Sequence, residues 1–348
     1  MDERSTPTWH ACGRRTLLAA GAATGAMAFA GRARGAEPGT LLNASYSTTV
    51  ELFRAYDPLF AAHWQKTEGR HVSLRDSHGG SGAQARAVIE GLPADVVTLA
   101  LAYDIDAIAT AGLIAPDWAS RLPFDSSPYT SAIVFLVRKG NPRQIRDWPD
   151  LIRNDVSVVT PNPKTSGGAR YNILAAWAWA MVAYQEDAAK ARSYLRALLK
   201  RVPVFDPSAR TATLAFTRRD LGDVLIAWES EAYLAIKEAG AASFEMVTPS
   251  LSLLAEPPVA VVDKVVDRRG SRAVAKAYLE YLYAPEAQDV VARNFFRPRD
   301  RNVATRYAAQ FEPLKLVTVK GFFGGWQKAE KRFFADGGIF DQVYGHGD

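Results

Sequence analysis

From residue 40 onward, short β-prone runs alternate with longer stretches whose apolar residues recur every three or four positions. "TLLNASYS" reads as a strand, and "VELFRAYDPLFAAHWQKTEG" follows as an amphipathic helix in which Pro58 predicts a kink or break. Strand "HVSLRDS", the glycine-rich "HGGSG", helix "AQARAVIEG", strand "ADVVTLAL" and helix "AYDIDAIATAG" continue the alternation. This βαβαβ order implies a mostly parallel sheet covered by helices.

A second α/β series opens after "PYTSAIVFLVRKGNP". It contains strands "VSVVTPNP", "VPVFD" and "DVLIAWES", with helices from Ser166, in "DAAKARSYLRALLKRV" and in "SARTATLAFTRR". "PPVAVVDKVV" mirrors the earlier long β segment, and the two are read as crossings between two lobes. "SRAVAKAYLEYLYAPEAQDVVARN" then reads as one amphipathic helix. No solenoid repeat or low-complexity tract interrupts the series. The expected fold is α/β and two-lobed. Lobe I takes residues 37–125 and 256–320, lobe II takes 126–255, and 321–348 forms a C-terminal bracing segment.

The first 36 residues are different. "GRRTLLAAGAATGAMAFA" pairs Arg14 and Arg15 with a short run of small and apolar residues, the form of an export signal. Cleavage is expected after Ala30, Ala33 or Ala36. The arginine pair fits the twin-arginine route, with Sec export the alternative. The single cysteine, Cys12, precedes the apolar run. The exported chain would carry no thiol, and so no disulfide, thiolate metal site or Cys nucleophile. Five arginines against Asp2 and Glu3 in this segment account for +3 of the formal net charge of +5. The remainder is nearly balanced, so basicity gives no argument for nucleic acid.

Candidate chemistry sits where strands meet helices. Ser77-His78-Gly79-Gly80-Ser81-Gly82, Thr165-Ser166-Gly167-Gly168-Ala169 and Asp206-Pro207-Ser208-Ala209-Arg210 each place small residues between a strand and a helix, and Tyr46-Ser47-Thr48-Thr49 follows the first strand. The first amides of a helix lack partners and sit at the positive end of its dipole, which suits an anion. Glycine costs about 1 kcal/mol within a helix, so two at a helix start point to a close approach. In open α/β sheets the carboxyl ends of strands line the ligand crevice.

"SHGGSG", "TSGGAR" and "PSARTAT" contain no carboxylate. A site made of donors suits a fully deprotonated oxyanion such as sulfate. Phosphate keeps a proton, and each buried O–H without an acceptor costs about 1–3 kcal/mol.

Other readings are weaker. "GSGAQA" fits a dinucleotide fingerprint, with Asp104 or Asp106 as ribose acid, but leaves the other helix starts unexplained. "HGGSG" fits the oxyanion loop of an exported α/β-hydrolase, the alternative of another class, although no G-x-S-x-G elbow accompanies it. The histidines at 10, 63, 71, 78 and 346 lack zinc-site spacing, so no metal or cofactor is expected and His78 reads as a loop residue.

"SHGGSGAQA", "ADVVTLALAYD", "PYTSAIVFLVRKGNP", "TPNPKTSGGAR", "GDVLIAWESEA", "AEPPVAVVDKVV" and "NFFRPRD" together resemble the periplasmic sulfate-binding proteins of bacterial ABC importers, with thiosulfate-binding proteins as siblings. The resemblance runs from about residue 40 to the end of the chain. It implies a type II periplasmic binding protein, not an enzyme, monomeric, that closes on its ligand and serves a membrane permease with its ATPase. Iron, molybdate and phosphate carriers share that architecture. Carried over, the resemblance implies sulfate held by the backbone amides of Ser47, Ser81, Gly167, Gly168 and Ala209, the Ser166 hydroxyl and the Trp228 indole, with Asp104 and Arg210 as neighbours. Ser47 stands where the family often has Asp, Thr48 where Pro is common, and "TAT" follows "SAR" where Gly-Ser-Thr is frequent.

Overall fold

The computed structural model describes residues Gly39–Gly345. The export-signal reading of residues 1–36 therefore lies outside the described residues.

Two sheets organise the chain. The smaller has strand order β10-β3-β1-β2, from Val259–Val261, Val96–Thr98, Thr40–Tyr46 and Ser73–Gly79. β1 runs parallel to β2, in register from Thr40↔Ser73 to Tyr46↔Gly79, and parallel to β3, while β10 is antiparallel. Successive side chains alternate faces. Val96 packs with Phe53, Tyr56, Phe60 and Tyr278 on one side, and Val97 packs with Val88, Ile105 and Ile108 on the other. Helix α1 (Val50–Glu68) supplies the first three aromatics, and α2 (Ser81–Ile89) and α3 (Ala102–Thr110) supply the opposite face.

The larger sheet has eight strands, ordered β12-β9-β4-β7-β5-β6 with β8 and β11 also pairing β4. These are β4 (Tyr129–Arg138), β5 (Val158–Pro161), β6 (Phe205–Asp206), β7 (Val224–Trp228), β8 (Phe244–Val247), β9 (Ser252–Ala255), β11 (Arg297–Pro298) and β12 (Leu316–Thr318). β4 is buried over all but its last residue, because both of its faces are covered. Ile133, Phe135 and Val137 enter one core, and Val134 and Leu136 another. The fold is thus α/β and two-lobed, with crossings before β4 and between β9 and β10.

The helices after β4 follow the expected order: α5 (Gly167–Ala183), α6 (Ala188–Leu199), α7 (Ala209–Arg218) and α8 (Glu229–Ala239), while a short turn, α4 (Pro123–Ser126), precedes β4. α5 is apolar nearly all round and is correspondingly buried. Asn172 fixes it to the sheet, its amide donating to Thr160 Oγ1 and the Ile226 carbonyl, each at 2.9 Å.

Three local expectations are revised. α1 runs unbroken through Pro58, which lies on its exposed side. The long helix expected after Ser271 is two helices, Arg272–Tyr281 and Pro285–Arg293. Pro285 lacks the amide a continuous helix needs and opens the second one, where that amide would be unpaired anyway. "VPVFD" shrinks to the two residues of β6, with Val204 largely exposed.

Candidate functional site

Each candidate loop links a strand to a helix start. Gly80 caps α2 in extended conformation, so Ser81 is its first residue. Ser166 caps α5 and its Oγ accepts the Ala169 amide at 3.4 Å, leaving Gly167 and Gly168 as the first two residues. Ser208 caps α7 through the Thr211 amide, which makes Ala209 the first residue there. Ser47 opens a 3-10 turn leading into α1, and that turn packs against α7 and β2. The first amides of a helix have no intrahelical acceptor and sit at the positive end of its dipole.

Side-chain geometry shows how these starts converge. A Cβ on Gly168 would lie 3.3 Å from Trp228 Nε1, 3.4 Å from the Ala209 Cβ and 3.6 Å from Ser166 Oγ. Trp228, the last residue of β7, is 2% exposed, and its Nε1 has no hydrogen-bond partner among the described residues. A buried indole N–H is rarely left unpaired. Tyr171 holds the ring edge-on at 5.2 Å, and Tyr46 packs against it at 5.5 Å.

The glycines have a second reason to be glycine. A Cβ on Gly167 would come within 2.8 Å of the Ala100 Cβ and 3.1 Å of the Ser81 Cβ. One on Gly80 would meet the Thr165 carbonyl oxygen at 2.6 Å. The loops of the two lobes touch backbone to backbone here. The close approach expected from sequence is therefore partly loop on loop.

Polar neighbours fix the loops. The Ser81 hydroxyl donates to Asp104 Oδ2 and accepts the Ala100 amide at 3.0 Å, which fixes the start of α2. Burial pushes the Asp104 carboxyl upward, opposed by Arg170, whose Nη1 lies 3.7 Å away. Arg210 Nη2 pairs with Glu51 of α1, and its Nη1 lies 3.7 Å from Glu231. Burial drives the Glu231 carboxyl up to about 7, while Arg210 and the Thr213 hydroxyl pull it back. Glu231 also borders a small cavity of about 10 Å³ beside Gly168, Ala209 and Trp228. Both arginines nearest the loops are thus engaged by carboxylates.

Sequence reasoning passed over several participants. Arg170 stands in "SGGAR", as the cation next to the two glycines. Tyr46 and Tyr171 carry no signal apart from their neighbours, and Glu330, which pairs with Arg170 at 3.0 Å, lies 160 residues further along. Among the described residues no three His, Cys, Asp or Glu gather as a metal site, and no helix is long and apolar enough to cross a membrane.

A sheet pair of this topology, with helix starts converging where the lobes meet, is the architecture of a solute receptor. The model of the family "Bacterial extracellular solute-binding protein" matches residues 41–297. The chain belongs to that family and, within it, to the group of the sulfate- and thiosulfate-binding proteins. It is 58% identical over 303 residues to the sulfate-binding protein of Escherichia coli (strain K12), covering 87% of this chain and 92% of the relative. It is 48% identical over 330 residues to the thiosulfate-binding protein of Pseudomonas aeruginosa, covering 94% and 97%. Among solved structures, the sulfate-binding protein SubI of Mycobacterium tuberculosis H37Rv superposes with a TM-score of 0.76 at 32% identity, covering 85% of this chain and 99% of that one.

Proposed function

We propose that this protein is a receptor that captures sulfate, stripped of water, between its lobes and hands it to an ABC import permease driven by an ATPase. The observation that carries this reading is the buried Trp228 Nε1, without a partner among the described residues, beside Gly168, Ser166 Oγ and Ala209. The donors are the amides of Ser47, Ser81, Gly167, Gly168 and Ala209, the Ser166 hydroxyl and the Trp228 indole. Each hydrogen bond to the dianion contributes about 1.5–3 kcal/mol, and together they offset its desolvation. The Ser166 hydroxyl accepts from the Ala169 amide, which leaves its proton for the ligand.

On this reading residues 37–125 and 256–320 form one lobe and 126–255 the other, with 321–348 bracing one of them, although Arg297–Pro298 and Leu316–Thr318 join the sheet of the second lobe. The protein works as a periplasmic monomer after export and cleavage at residue 30, 33 or 36, and it is not an enzyme. Thiosulfate is the second reading, supported by the 48% identity to a thiosulfate-binding protein. Calorimetric titration of anion-stripped protein separates them. Tight one-to-one sulfate heat supports the reading, much tighter thiosulfate binding changes the substrate, and silence to both defeats it.

A further inference from the structure

The Ser166 loop is held from behind by the end of the chain. Lys164 Nζ donates to the Phe334 carbonyl at 2.8 Å and to Asp341 at 2.9 Å. Trp326 packs edge-on to Tyr171 at 4.8 Å, and Tyr171 in turn meets Trp228. Between these two anchors sits Glu330, the first residue of a π-helical turn, Glu330–Phe334. Such turns are rare and are found frequently at functional sites.

Arg170 is the group this turn addresses. Its side chain is 11% exposed, its Nε donates to the Pro163 carbonyl, and its Nη1 lies 3.0 Å from Glu330 and 3.7 Å from Asp104. One guanidinium nitrogen therefore stands between two buried carboxylates. Asp104 belongs to the smaller lobe and takes the Ser81 hydroxyl, whereas Glu330 belongs to the segment that backs the larger lobe. Whatever Arg170 gives to Asp104 ties the Ser81 loop to the Ser166 helix. Whatever it gives to Glu330 does not.

We infer that Glu330 is a positioning residue of the anion site: it holds Arg170 back from Asp104 and so limits how tightly the two lobes lock around the ligand. The inference rests on the anion-capture reading above. Two carboxylates sharing one cation cannot both be fully compensated, and burial pushes each of them above its ordinary range. Tilting the division one way lengthens retention of the ligand, and tilting it the other way eases release. A receptor that must surrender its cargo gains from the restraint.

Stopped-flow release of sulfate tests this in Glu330→Gln, Asp104→Asn and the double variant. Glu330→Gln is expected to slow release about three- to tenfold and to leave association within about twofold. In the Asp104→Asn background the same substitution should change release by less than about twofold, because the acceptor for the freed guanidinium is gone. Glu330→Asp, which keeps the charge and withdraws it from Arg170, should slow release by a smaller factor. Unchanged or faster release in Glu330→Gln, or equal slowing with Asp104→Asn, overturns the inference. Absence of sulfate binding by the unsubstituted protein would overturn the capture reading and this one with it.

Discussion

Trp228 Nε1 lies 3.3 Å from the point where a side chain on Gly168 would begin, although 60 residues separate the two in the chain. A buried indole donor without a partner among the described residues and a helix start without side chains thus border the same small space. An atom occupying that space would receive hydrogen bonds from the indole and from the helix start at once.

Gly168→Ala should therefore abolish most anion binding and leave the fold intact. The new methyl meets the indole at 3.3 Å and occupies the space the ligand needs. Gly167→Val should also weaken sulfate binding, by wedging the lobes apart at Ala100, 2.8 Å from the added Cβ. Lys200→Ala, at the distant end of α6, should change nothing. Titration of all three with sulfate checks this, and equal affinities would refute the site.

Trp228→Phe keeps a ring between Tyr46 and Tyr171 and removes the N–H. Loss of a hydrogen bond to a charged acceptor should cost about 1.5–3 kcal/mol, roughly ten- to 150-fold in Kd. Ser166→Ala should cost a similar amount, with a small additional loss of helix stability from the missing cap. Calorimetry and thermal melts separate the two effects.

These sites show what a linear chain discloses. The helix starts were legible because a strand period, a run of small residues and a helical period follow one another locally. The need for glycine was legible too, but not its full cause, since Ala100 and Thr165 reach Gly167 and Gly80 from other loops. Apolar spacing that continues across Pro285 predicts one helix there, and the missing amide makes it two. Arg170 and Glu330 meet only once the chain has folded back over itself. No periodicity encodes such a pair.

Arg210 and Glu51 join α7 to α1, one helix from each lobe. Glu51→Gln should speed sulfate release several-fold and leave Arg210 facing Glu231 alone. Both side chains are about four-fifths buried, so the effect should persist at moderate salt. Release rates at two ionic strengths provide the measurement.

Asp57 gives a pH dependence of stability. Burial, with Asp76 beside it, raises its carboxyl to about 8, although the Tyr278 hydroxyl donates to it at 2.7 Å. Its unfolded value is about 3.9, so between those limits the native state binds the extra proton. This group's contribution is therefore full below about pH 4 and is lost as pH rises toward 8. Asp57→Asn should remove that loss and raise Tm at pH 8 relative to the unsubstituted protein. Thermal melts from pH 5 to 8 would show the two profiles diverging as pH increases.

On the capture reading, donors from both lobes hold a fully deprotonated oxyanion. The most direct test is titration of anion-stripped protein with sulfate and with phosphate at neutral pH. Tight one-to-one binding of sulfate is expected, with no measurable heat from phosphate, whose retained proton would find no acceptor. Phosphate binding comparable to sulfate would contradict it, and would point to Glu231, the carboxylate bordering the cavity beside Trp228, as the acceptor.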